Sequence, residues 1–127
     1  MNILVDSFAW LELFQGSMAG NKVLSVLKEN AGQIYTSVLN LYEIRYRIEE
    51  IRDAKTADEF VKTIEHHAKV LDVTREIAIE ASRIKSRVKK MGAVDCVILA
   101  SARFHSSTVL TGDPHFDGIE GVISLRK

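Results

Sequence analysis

Ile3-Leu4-Val5-Asp6 opens the chain with three apolar residues cut off by a carboxylate. A run that short and that apolar reads as a strand covered on both faces. Ile34-Tyr35-Thr36, Val70-Leu71, Thr108-Val109-Leu110-Thr111 and Gly121-Val122-Ile123-Ser124 repeat the pattern down the chain. Helical spacings fill the gaps. Ser7 caps a short helix with Phe8, Leu11 and Phe14 inward, ended by Gly16-Ser17, and Val23, Leu24 and Leu27 mark a second helix before Asn30-Ala31-Gly32. Leu41, Ile44, Ile48 and Ile51 form one stripe of a long helix. Thr56 and Glu59 have capping-box spacing ahead of Phe60, Val61 and Ile64. Thr74 caps a helix with Ile77, Ala81, Ile84 and Val88 inward, closed by Gly92, and a last helix starts near Asp95 with Ile98, Leu99 and Ala102. Short strands alternating with helices predict an α/β fold with a mostly parallel sheet.

In such a sheet, ligands bind beyond the carboxyl ends of the strands at a topological switch point. That rule gives each acid a meaning. Asp6 directly follows the first strand, where an uncompensated carboxylate against a buried strand is costly. Asp113 follows the strand ending at Thr111, with Asp117 four residues on as a further candidate. Glu43 lies in the helix after the second strand, and Asp95 opens the helix before the fourth. Each acid taken alone has an ordinary explanation. Asp95 is a helix cap, Glu43 the partner of Arg47 one turn on, and Asp113 a turn residue in Gly112-Asp113-Pro114. Together they suggest carboxylates that repel one another until a hard divalent cation, magnesium or manganese, joins them.

Composition sets the limits. The chain has 127 residues, 46% of them hydrophobic and 27% charged, which suits one globular domain spanning residues 1–127. Lys plus Arg number 17 and Asp plus Glu 17, so bulk positive charge is excluded as the means of gripping nucleic acid. Cys96 is the one cysteine, which rules out an intrachain disulfide and a cysteine zinc cluster. The N-terminus has no basic region, and the longest uncharged stretch, Asn30 to Tyr42, is too short and polar to span a bilayer, so a cytoplasmic location is expected. His66 and His67 diverge on a helix, and His115 reads as a loop histidine within reach of phosphate.

These blocks resemble a known family. Ile3-Leu4-Val5-Asp6-Ser7, Leu41-Tyr42-Glu43-Ile44, the Asp95 block from Val94 to Ala102, and Thr111-Gly112-Asp113-Pro114-His115-Phe116 look like the PIN-domain nucleases. Their order and separation look especially like the VapC-type toxins of prokaryotic toxin–antitoxin pairs. The resemblance implies a three-layer PIN-like α/β fold, with a central, mostly parallel sheet of four to five strands and helices on both sides, and a magnesium- or manganese-dependent endoribonuclease acting through metal-activated water. Asp6, Glu43, Asp95 and Asp113 match its acidic positions, Thr111 a supporting hydroxyl, and Ser7 a small polar position beside the first acid. It also implies a cognate antitoxin protein and a homodimer. Arg83, Lys85, Arg87, Lys89 and Lys90, just before Asp95, are candidates for tracking the RNA backbone, against the plainer reading of a solvated helix face. Trp10, Phe14, Tyr42 and Tyr46 are candidates for a dimer surface, against the plainer reading of core aromatics at helical spacing. Two rival readings are a PIN-like module that binds RNA or protein without cleaving, and a phospho-accepting receiver domain. The receiver needs an acceptor loop that Leu71-Asp72-Val73-Thr74 supplies poorly.

Overall fold

The computed structural model describes residues 1–126. Five strands, β1 (Ile3–Val5), β2 (Ile34–Ser37), β3 (Lys69–Leu71), β4 (Thr108–Thr111) and β5 (Val122–Ser124), form one sheet in the order β3-β2-β1-β4-β5. Every pairing is parallel. The helices are α1 (Ser7–Gln15), α2 (Met18–Glu29), α3 (Val38–Ile51), α4 (Ala54–His67), α5 (Arg75–Arg87) and α6 (Ala93–Phe104), with a 3-10 turn at Pro114–Phe116.

Alternation along the strands sorts the core into two layers, since successive side chains point to opposite faces. Ile3 and Val5 pack with Trp10, Val23, Ile44, Ile48 and Ile64 from α1 to α4. Leu4 and Val109 pack on the other face with Ile77, Ala81 and Ile84 of α5 and Ile98 and Leu99 of α6. Both faces are therefore covered, which is why the strands read as unbroken apolar runs.

The chain runs outward from β1 through β2 to β3, then crosses back to place β4 on the other side of β1. The switch point lies between β1 and β4, where Val5 pairs with Leu110 and Asp6 N–H donates to the Leu110 carbonyl at 3.1 Å. A receiver domain carries the order 2-1-3-4-5, so this sheet order removes that rival.

Several boundaries differ from the sequence reading, each for a local reason. The residue capping α1 is Asp6, not Ser7, which is the buried first residue of the helix. Asp53, not Thr56, caps α4 by accepting the Thr56 N–H at 2.7 Å, so the helix starts a turn earlier. Gly92 does not close α5, which ends at Arg87; its extended backbone instead caps α6. Ile51 belongs to the α3 stripe by spacing but lies at the helix end, 58% exposed. Gly20 is required where α2 crosses α1, because a Cβ there would stand 2.3 Å from the Glu12 carbonyl oxygen.

Candidate active site

At the switch point the buried Asp6 carboxylate is held from two sides. Oδ1 accepts from Asn40 Nδ2 at 3.1 Å, and Oδ2 accepts from the Thr111 hydroxyl at 2.8 Å. Asn40 also donates to Ser7 Oγ at 2.9 Å and accepts the Ser37 N–H at 2.9 Å. One amide thus caps α3 and fixes the first acid. Although Asp6 caps α1 through its backbone, its side chain makes no cap hydrogen bond and stays committed to this network. Burial pushes the Asp6 carboxyl up from 3.8 to about 6; the Thr111 hydroxyl and the Ser7 N–H pull it down, and Asp95 and Glu43 add repulsion.

Glu43, Asp95 and Asp113 line the same cavity of about 400 Å³, together with Asp6 and Ser7. Asp95 lies in the first turn of α6, where the Gly92 N–H stabilises its carboxylate. Gly92, not Asp95, is therefore the cap of α6, and Asp95 is a first-turn acid that also lines the cavity. Burial, then Asp113, raises its pKa, while His115 opposes the shift. Asp113 caps the 3-10 turn, its Oδ1 accepting the His115 N–H at 2.9 Å. The turn brings His115 Nδ1 to 3.2 Å from Asp113 Oδ1 and 3.5 Å from Asp95 Oδ2. Glu43 pairs with Arg47 at 3.3 Å, and Arg47 is the one Lys or Arg among the described lining residues.

The other sequence candidates fall as follows. Thr111 joins two acids, donating to Asp6 and accepting the Asp113 N–H at 3.0 Å. Asp117 lies outside the cavity and takes a two-pronged bond from Arg126 at 3.0 and 2.9 Å. None of the five basic residues from Arg83 to Lys90 lines the cavity. Lys85 Nζ donates to the Lys89 and Met91 carbonyls, Lys90 Nζ to the Asp117 carbonyl, and Arg83 pairs with Glu80. Trp10 belongs to the core rather than to a surface, 2% exposed with Nε1 donating to Thr36 Oγ1 at 3.0 Å. Phe14 packs edge-on against Phe60 at 5.1 Å, whereas Tyr42 and Tyr46 are exposed and lie at the cavity.

Sequence reading missed Asn40, although Ser37 and Asn40 stand three residues apart at a helix start, the spacing of a capping box. It also missed Glu12. Phe8, Leu11, Glu12 and Gln15 all line the cavity, and their spacing is one helix face, the face first read as core.

The donor set fits a hard or borderline divalent cation. Five carboxylates face one cavity with a single arginine to offset them, and the buried Asp6 has no Lys or Arg partner among the described residues. Asp95, Asp113 and His115 each offer a ligand atom within 4.8 Å of the others. A larger cavity of about 550 Å³ beneath α2 and α4 is lined by Trp10, Leu13, Leu27 and Phe60 and carries no acid. Size favours that cavity; chemistry favours the acidic one.

The family model for the PIN domain matches residues 3–122. The chain belongs to the PIN-domain family. No curated protein matches it significantly in sequence. Solved structures share the PIN fold at low identity. A toxin–antitoxin complex from Klebsiella pneumoniae is 20% identical with a TM-score of 0.81, covering 98% of both chains. VapC20 of Mycobacterium tuberculosis, a sarcin-ricin loop cleaving toxin, is 17% identical with a TM-score of 0.80, over 95% of this chain and 97% of that one. VapBC-1 from nontypeable Haemophilus influenzae is 14% identical with a TM-score of 0.78 over 100% of both. At these identities the likeness is one of fold.

Proposed function

We propose that this PIN-domain chain is a divalent-metal-dependent endoribonuclease, the toxin of a VapBC-type toxin–antitoxin pair. One observation carries the reading: Asp6, Glu43, Asp95 and Asp113, from four separate segments, line one cavity at the switch point of the sheet. Asp6, Asp95 and Asp113 would hold magnesium or manganese, with Glu43 completing the set. The cation, when bound, supplies a Lewis acid that activates water and neutralises phosphodiester charge.

The chain's own residues prepare that site. Asn40 and Thr111 fix the Asp6 carboxylate, and Thr111 also orients Asp113 through its N–H. Arg47 restrains Glu43 and is the cavity's cation for a substrate phosphate. Phe8, Tyr42 and Tyr46 offer flat faces for bases. The exposed Arg87, Lys89 and Lys90 would contact the RNA backbone outside the cavity, beside the start of α6.

Similarity to VapC20 supports RNA as substrate, and similarity to the toxin–antitoxin complexes supports a small antitoxin as partner. A homodimer and a cytoplasmic location belong to the same proposal; among the described residues, no helix is long and apolar enough to cross a membrane. Cleavage of total cellular RNA with manganese, but not with EDTA, and its loss in Asp6→Asn is the expected result. The expected ends are 5′-phosphate and 3′-hydroxyl. Equal cleavage by both proteins, or cyclic phosphate ends, would overturn the proposal. Binding of RNA without cleavage in every metal tried would favour the binding module.

A further inference from the structure

We propose that His115 is a nitrogen ligand of the metal centre, acting with Asp95 and Asp113, and that it tilts the site away from magnesium toward manganese and later first-row ions. The inference rests on the metal-centre reading above and narrows it to one ligand set.

Three observations support it. First, Nδ1 lies 3.2 Å from Asp113 Oδ1 and 3.5 Å from Asp95 Oδ2, between carboxylates from two different segments. Both separations exceed the ~2.8 Å of a charge-assisted N–H···O bond. They approach the edge of an octahedron, about 3 Å when the metal–ligand bonds are ~2.1 Å.

Second, the residue is held in place. Pro114 opens the turn, Asp113 Oδ1 accepts the His115 N–H at 2.9 Å, and Phe116 anchors the next position in the core. The imidazole itself is 56% exposed, so it can rotate a few tenths of an ångström onto an ion without disturbing packing.

Third, the chemistry discriminates. Magnesium takes oxygen ligands and releases water reluctantly, whereas imidazole suits zinc, iron and nickel, and affinity rises along the first row from manganese to copper. Two carboxylates and one imidazole form a mixed set that an all-acid pocket would not provide. The remaining histidines are remote: His66 and His67 end α4, and His105 follows α6.

Pulsed EPR of the manganese-loaded protein tests this directly. The wild type should show ¹⁴N modulation from one imidazole. His115→Gln should lose it while still binding manganese, and His66→Gln/His67→Gln should keep it. Calorimetric titrations should show the manganese-to-magnesium affinity ratio falling in His115→Gln, because the amide offers both ions an oxygen in place of the imidazole nitrogen. Bound manganese without nitrogen modulation in the wild type, or an unchanged ratio in the variant, overturns the histidine ligand and leaves the carboxylate site standing. Failure of the wild type to bind manganese better than Asp95→Asn overturns both.

Discussion

Asp6→Asn isolates the cost of keeping a carboxylate buried at the switch point. In the metal-free protein burial lifts Asp6 from 3.8 to about 6. A shift of about two pKa units corresponds to about 3 kcal/mol between the protonated and ionised native states. The raised value means the folded chain holds this proton more tightly than the unfolded one. Stability from this group is therefore present below 3.8 and lost as pH climbs through about 6. The amide keeps the size and still accepts from Asn40. Its NH2 stands where Oδ2 accepted from Thr111, so the Thr111 hydroxyl proton loses its acceptor, and that mismatch costs ~1 kcal/mol. At pH 7.5 in EDTA the variant should be more stable by roughly 1–2 kcal/mol, a Tm rise of roughly 3–8 °C. At pH 3.5 the order should invert, because Asp6 is then protonated in the native state and mostly so in the unfolded chain. Differential scanning calorimetry at the two pH values checks both halves. A difference in Tm that does not change with pH would refute the burial argument. Saturating manganese should reverse the order at pH 7.5, since a ligand at a hundred times its Kd adds about 2.7 kcal/mol to the protein that binds it.

Other outcomes follow from the same geometry. Asp95→Asn should abolish RNA cleavage and raise the metal-free Tm at pH 7.5 by less than Asp6→Asn, because Asp95 is less buried; a lower Tm would assign it to holding the first turn of α6 alone. Asn40→Ala removes the donor on Asp6 Oδ1 and the acceptor for Ser37, and should cost about 2–3 kcal/mol in urea unfolding. Gly20→Ala forces a methyl onto the Glu12 carbonyl and should cost about 1–3 kcal/mol in urea unfolding. Replacing Lys89 and Lys90 by Ala should lower the salt slope of RNA binding by about 1.4, the effect of two single-strand phosphate contacts; an unchanged slope removes them from the RNA path.

Much of this protein was legible in the chain because the relevant signals are local. Runs such as Ile3-Leu4-Val5 and Thr108-Val109-Leu110 announce strands by β-branching and the absence of charge, and the parallel sheet covered on both sides follows from them. Asp6 and Asp113 were readable as candidates because each directly follows a strand and so lies at the carboxyl edge of the sheet. Helix limits were less legible. Asp53 and Thr56 both have capping chemistry, and the choice between them depends on where α4 must land against α3.

Tertiary structure alone decided the rest. Sequence order could not say that β4 returns beside β1, and only that pairing sets Thr111 against Asp6 across 105 residues. It separated Asp113 from Asp117 by turning one into the cavity and the other toward Arg126. It made Asn40 a holder of Asp6, moved Trp10 into the core, and swung His115 between two acids. The physical reason is range. Propensity and periodicity act over a few neighbouring residues, whereas a cup of like charges exists only when the packing of two hydrophobic layers forces distant strand ends together.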